Sequence, residues 1–195
     1  RRVLFRSGRG FCAGADLKEV GARVTGVALE QRMARSSARL ARAVLGCPVP
    51  IVAAVHGACA GIGLTLALGA DVCVAADDAR FLSPFVARGL VPDGAIARLL
   101  PRIIGWGRAR EFLILGRPID AAEALASGLV TAVVPGAELL DEAAARAREL
   151  AALPTAAIGY TKQLLHRSFE LDLESYLFEE RAAQALLSTD PATES

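Results

Sequence analysis

The sequence lacks a dominant charge: 22 Lys and Arg stand against 21 Asp and Glu, a formal net charge of +1 over 195 residues. That balance offers no broad cationic field to nucleic acid or to an anionic membrane surface, so neither is expected as a partner, while a local basic patch for a phosphorylated ligand is still compatible with it. A long apolar run is also missing. The richest stretch, Ile62 to Ala76, is interrupted by Asp71, and is too short and too polar to cross a bilayer. No signal-peptide pattern opens the sequence. The four cysteines, Cys12, Cys47, Cys59 and Cys73, include no C-x-x-C pair. Dispersed thiols in an alanine-rich chain read as small buried hydrophobes of a reducing compartment, which makes a cytoplasmic location the expectation. Repeats and low-complexity segments are absent as well. What is present, 53% hydrophobic and 22% charged residues, is the composition of a globular chain long enough for a real core.

Three regions are expected. Residues 1–7, RRVLFRS, read as a non-native leader because they back-translate to the end of a common sequencing adapter; the alternative is a strand through Val3, Leu4 and Phe5. Residues 8–152 alternate strands and helices. Ile51 to Val55, Val72 to Ala75, a short piece at Phe81 and Leu129 to Val134 have the apolar, β-branched character of buried strands. Leu29 to Leu45 reads as one helix, with Leu29, Met33, Leu40 and Val44 on one face, ended by Pro48 and Pro50. His56 to Gly63 reads as a glycine-rich turn and Leu64 to Leu68 as a short helix. A helix running through Leu100 follows Pro92-Asp93-Gly94, and Arg108 to Leu115, Ala121 to Ala126 and Ala137 to Ala152 read as further helices. Residues 153–195 are predicted helical, over Thr155 to Phe169 and Leu173 to Leu187. The class is α/β with a helical C-terminal region.

Gly57-Ala58-Cys59-Ala60-Gly61-Ile62-Gly63 spells G-x-x-x-G-I-G between a strand and a helix. Short-chain dehydrogenases carry such a nucleotide loop, where glycines let backbone approach a pyrophosphate, and Asp77 or Asp78 would then hold a ribose. Against this, the following helix is too short for a crossover, no Y-x-x-x-K pair exists because Lys162 follows Tyr160 at the wrong spacing, and the loop from Gly10 to Asp16 stays unexplained.

Both loops have one explanation in a resemblance. Phe11-Cys12-Ala13-Gly14-Ala15-Asp16-Leu17 resembles the F-x-A-G-A-D-L loop of the crotonase (enoyl-CoA hydratase/isomerase) superfamily. Ala53-Ala54-Val55-His56-Gly57 through Gly63 is similar to its A-A-V-N-G-x-A-x-G-x-G loop, with His56 in place of Asn. Asp71 to Pro84 follows its D-x-x-x-A…A-x-F-x-x-P run, and Gly128-Leu129-Val130 its G-L-V element. The resemblance implies a ββα spiral with a C-terminal helical subdomain, truncated at the N-terminus, and a fragment also lacking the last helix. It implies an acyl-CoA thioester as substrate, no separate cofactor, no metal, and assembly into homotrimers or hexamers through the C-terminal helices. Chemistry beside a thioester carbonyl places negative charge on its oxygen, and two preorganised backbone N–H groups stabilise that enolate. By resemblance these are the N–H groups of Ala15 and Ile62, with Ala13, Gly14, Asp16, Leu17, Gly61, Thr65, Pro84 and Phe85 around the substrate.

The same alignment exposes a departure. The two glutamates of family hydratases would fall at Thr65 and Phe85, and neither residue can move a proton for an attacking water. Gly89-Leu90-Val91-Pro92-Asp93 resembles the G-L-x-P-D segment of the epoxyphenylacetyl-CoA isomerase branch, where the aspartate moves a proton along the acyl chain. An acyl-CoA isomerase with Asp93 as acid/base is therefore favoured over a hydratase; the plain alternative for Asp93 is a helix N-cap. The motifs are also compatible with a hydratase of unusual acid/base set, with a catalytically silent acyl-CoA-binding paralogue and, remotely, with a short-chain dehydrogenase. His56 is expected to hydrogen-bond within its loop, Asp16 to orient the first loop, Trp106 to pack a helix start and His166 to sit on a solvated face. Arg88, Arg98 and Arg102 are candidates for coenzyme A phosphates.

Overall fold

In a computed structural model, residues 2–4, 8–15 and 25–188 are described. Its centre is a parallel sheet of β1 (Arg2–Leu4), β2 (Ile51–Val55), β4 (Val72–Ala76) and β7 (Ala132–Val134), in the order β1-β2-β4-β7. All three pairings are parallel. Strand β2 is buried at every position, which explains its unbroken apolar sequence: a parallel strand covered on both faces has no polar side to alternate. Ala53 and Val55 point to one face, into a core with Phe11, Leu64, Phe81 and Leu100. Val52 and Ala54 point to the other, against Leu139, Ala143 and Ala147 of α7 (Leu139–Ala151). The expected α/β class is present, and Val3 and Leu4 lie in β1.

A second sheet orders β3 (Ala58–Ala60), β5 (Arg80–Leu82) and β6 (Ile119–Asp120). Helices α3 (Ile62–Leu68), α4 (Ile96–Ile104), α5 (Trp106–Leu115) and α6 (Ala121–Ala126) follow along the chain and contribute to the same core as the sheets, and α8 (Thr155–Arg167) and α9 (Leu173–Leu187) are the last described helices.

The structure differs from the sequence reading in four places. The helix expected from Leu29 to Leu45 is two, α1 (Gly26–Arg35) and α2 (Ser37–Leu45). The Ser36 hydroxyl donates to the Arg32 carbonyl at 2.7 Å, a local bond that competes with helix continuation, and α1 buries no residue that would hold the two in line. Ala58–Ala60, expected as turn, is a strand, because loop and β5 both pair with it. Helix α4 passes Pro101 instead of stopping before it: Ile96, Leu99, Leu100 and Ile104 are all buried, and that face outweighs the lost hydrogen bond. Leu129 and Val130 pack in the core ahead of β7 without joining it.

Three cysteines are buried, Cys47 is half-buried, and all are free. Burial pushes the Cys73 thiol up to about 12 and the Cys59 thiol well above its ordinary value, with Cys73 and Cys12 adding to the latter. These are packing residues and not nucleophiles.

Candidate active site

The first loop is held as an extra strand beside β3. Phe11 N donates to His56 O at 2.8 Å, Cys12 N to Ala58 O at 3.0 Å, and Ala60 N to Cys12 O at 2.7 Å. Cys12 and Cys59 form a parallel bridge pair, and the pairing ends where β3 does, at Ala60. Glycine makes this approach possible. Gly61 has φ 55°, and a Cβ there would stand 3.2 Å from the Gly14 Cα. A Cβ on Gly63 would stand 2.7 Å from the Cys12 Cβ, so the start of α3 is pressed against the loop. His56 Nε2 lies 3.1 Å from the Gly8 carbonyl oxygen, which is the loop hydrogen bond expected of it.

Ile62 is the first residue of α3, where a backbone N–H has no carbonyl one turn back to bond. Among the described residues, neither the Ala15 nor the Ile62 N–H donates to a backbone carbonyl. Ala13 and Ala15 are exposed, Gly14, Gly61 and Ile62 half-buried. Asp16 and Leu17 lie outside the described residues.

A third segment closes on these two. The fully buried Thr65 hydroxyl donates to the Gly94 carbonyl at 2.9 Å. A Cβ on Gly94, whose φ is 61°, would collide with the Thr65 hydroxyl and sit 3.2 Å from Ile62 Cδ1. The Pro92-Asp93-Gly94 turn is thereby fixed over the residue that begins α3. Thr65, the position of one missing glutamate, is a fastener. Phe85, the position of the other, packs half-buried against the core, as do Ile62 and Ala95. Its carbonyl accepts from Arg88 and Leu90 N–H groups at 2.9 Å each, which folds the segment from Pro84 back toward Asp93.

Asp93 is not the helix cap that its sequence position suggested. The N-cap of α4 is Ala95, in the left-handed region at φ 67°, and no side chain caps the helix. Among the described residues the half-buried Asp93 carboxylate has no hydrogen bond or ion pair, and only its carbonyl is used, accepting from Ile96 N at 3.3 Å. Holding a non-glycine residue left-handed costs ~1–2 kcal/mol, and a good Asp cap is worth ~1 kcal/mol. The turn forgoes both and leaves the carboxylate unengaged.

The remaining expectations divide. Trp106 is 68% exposed and packs nothing substantial; it begins α5, but the buried face of that helix is Ala109, Phe112 and Leu113. Asp78, weighed as a ribose ligand, accepts the Gly57 N–H at 3.1 Å, and α3 has only seven residues. Arg88 is exposed, Arg98 pairs with Glu170, and Arg102 lies 4.8 Å over the Phe169 ring. His166 is half-buried, not solvated. Burial lowers its pKa; Asp71 opposes this, while Lys162, Arg98 and Arg102 lower it further.

Sequence reasoning missed Lys162. It is 7% exposed, and its ammonium donates to Asp71 Oδ2 at 2.7 Å and to the Val49 carbonyl at 3.1 Å. The same Asp71 oxygen accepts the Ile51 N–H at 2.7 Å. Helix α8 is thus tied to the leading ends of β2 and β4. The available signal was the spacing: Lys162 falls one turn after Ile158 and Gly159, on the inward face. Among the described residues no group of three or more His, Cys, Asp or Glu could hold a metal, and no helix is long and apolar enough to cross a membrane.

Residues 3–194 match the enoyl-CoA hydratase/isomerase family. A 1,2-epoxyphenylacetyl-CoA isomerase of Escherichia coli K12 is 39% identical over 94% of this chain and 71% of its own length. Among solved structures, an enoyl-CoA hydratase of Mycobacterium smegmatis superposes with a TM-score of 0.88 at 35% identity, covering 97% of this chain and 73% of that one. A Thermobifida fusca YX chain determined in complex with CoA reaches 0.86 at 34% identity, covering 95% and 75%.

Proposed function

The chain belongs to the enoyl-CoA hydratase/isomerase family, and from that premise we propose that it is an acyl-CoA isomerase using Ala15 and Ile62 as oxyanion donors and Asp93 as acid/base. One observation carries this reading: the Thr65 hydroxyl holds the Gly94 carbonyl and a Cβ on Gly94 would stand 3.2 Å from Ile62 Cδ1, so the turn that carries Asp93 packs against the first turn of α3. The thioester oxygen accepts hydrogen bonds from both N–H groups, each worth ~3 kcal/mol when charge develops there. With the enolate so held, Asp93 removes a proton from one carbon of the acyl chain and returns it to another. The carboxylate ends as it began, so no water, metal or redox partner enters the balance.

Water addition asks for more. It needs one group to take the water's proton and one to protonate the α-carbon. Thr65 spends its hydroxyl on Gly94 and Phe85 has none to spend. This favours double-bond migration over hydration, although relatives with either name are similar to this chain. The test is a panel of 2-, 3- and dienoyl-CoA thioesters, with isomerisation and hydration followed separately. The expected outcome is double-bond migration with little water added to crotonyl-CoA, and Asp93→Asn lowering migration by ~10²–10⁴. Efficient hydration by the unmutated chain, or full turnover by Asp93→Asn, sinks the reading.

We extend the proposal to assembly as a homotrimer or pair of trimers. Helix α9 buries only Ala183, while Leu173, Phe178 and Leu186, with Leu165 and Phe169 before them, are each more than half exposed. So many large apolar side chains left exposed along two successive helices are unusual for a surface that faces water. A single monomeric species in light scattering would contradict it.

A further inference from the structure

An open cavity of about 620 Å³ adjoins the Asp93 turn, with Gly94 and Ala95 in its wall. Its lining is amphipathic. Ala38, Ala41 and Leu45 of α2 supply an apolar side together with Ala95, while Arg42, Arg98 and Arg167 converge on it from α2, α4 and α8. Among the described residues no carboxylate side chain lines it. Arg98 and Arg167 each have a neutralising partner just outside, Glu170 and Glu179. Arg42 is exposed and has no ion pair among the described residues.

Resting on the isomerase reading above, we propose that this cavity receives the distal end of the acyl group and that the preferred acyl group ends in a carboxylate, held by Arg42. Position supports the acyl end: the carbonyl of the wall residue Gly94 accepts the Thr65 hydroxyl and a Cβ on Gly94 would stand 3.2 Å from Ile62 Cδ1, so an acyl chain that starts beside the head of α3 and passes Asp93 would enter this space. The lining supports the terminus. Methylenes pack on the alanines and Leu45, and a planar guanidinium is suited to bind a carboxylate through two parallel N–H bonds. Charge supports it too. Three guanidinium groups, those of Arg42, Arg98 and Arg167, line it, and among the described residues no carboxylate side chain does.

A phosphate of coenzyme A shares this chemistry, so the experiment separates the two sources. Calorimetry measures binding of hexanoyl-CoA and adipoyl-CoA, saturated thioesters of equal length ending in methyl and carboxylate, to the unmutated chain, to Arg42→Gln and to Arg39→Gln, which changes charge equally on the same helix outside the cavity. The corresponding acyl-pantetheine thioesters, which lack the nucleotide phosphates, form the second arm. The expected result is adipoyl binding at least about tenfold tighter than hexanoyl, ~1.4 kcal/mol, in both arms, lost in Arg42→Gln and kept in Arg39→Gln. Equal affinity for the two acyl groups on the unmutated chain overturns the proposal and leaves the isomerase reading standing. Weaker binding by Arg42→Gln of both CoA thioesters, with no change for either pantetheine thioester, assigns Arg42 to phosphate and overturns it as well. If no thioester binds, the acyl-CoA reading itself falls and this inference with it.

Discussion

Replacing Thr65 by valine removes one hydroxyl at nearly constant shape. The hydroxyl is fully buried and donates at 2.9 Å to the carbonyl of Gly94. That carbonyl has no other donor among the described residues, since Arg98 N bonds to Ala95 instead. Valine therefore strands a buried acceptor, at a cost of ~1–3 kcal/mol. For a chain of this length each kcal/mol is ~2–4 °C in Tm, so a fall of ~2–12 °C is expected. The functional effect is separate. Thr65 fixes the turn that carries Asp93, so the valine variant should lose turnover more than it loses affinity for a saturated acyl-CoA. Thr65→Ser is the control, because it keeps the bond and loses only a methyl group, and should retain turnover. Thermal unfolding with kcat and KM on the same preparations checks all of this. A valine variant as stable and as fast as the parent, with serine the damaged one, would show that Thr65 matters for its methyl packing and that the fastening is irrelevant. The same geometry predicts that a glutamate at 65 cannot restore hydration simply, since it must displace Gly94 before it can act.

Asp93→Asn and Asp93→Ala should both lose turnover and both keep the parent's denaturant midpoint, because the carboxylate caps nothing; a destabilised alanine variant would return Asp93 to a structural role. Lys162→Met breaks a buried pair and should cost about 3 kcal/mol in urea unfolding, the low end for such losses, since the Asp71 side chain is 22% exposed and keeps the Ile51 N–H; Asp71→Asn combined with Lys162→Met should cost less than Lys162→Met alone. His166 has a lowered pKa when folded, so the unfolded chain binds its proton more readily. Stability from this residue is whole above its ordinary pKa of 6.5 and is lost as pH falls below that value toward the folded one. His166→Gln should therefore flatten the stability profile between neutral and mildly acidic pH, and an unchanged slope would contradict the sign.

The parts legible in the sequence were those where one local pattern decides the outcome. Ile51–Val55 is continuous and apolar because both faces are covered, and the two glycine-alanine loops were recognisable because only small residues permit their approach. The unreadable parts depend on partners distant in sequence. Ala58–Ala60 is a strand only because Cys12 and Phe81 lie beside it. Lys162 is buried only because Asp71 waits 91 residues earlier. Asp93 had the residue type, the following glycine and the downstream helix of an N-cap, yet the helix begins later, at a left-handed Ala95. Ser36 breaks a helix whose hydrophobic period runs straight through it, since period reports a face and not whether anything covers it.

In the proposed mechanism two loop amides receive a thioester oxygen beside Asp93. The most direct test is a crystal structure with a saturated acyl-CoA bound. The thioester oxygen should lie about 2.7–3.1 Å from both the Ala15 and Ile62 nitrogens, with the Asp93 carboxylate facing the adjoining acyl carbons. A thioester bound elsewhere, or an oxygen that meets neither amide, would contradict it.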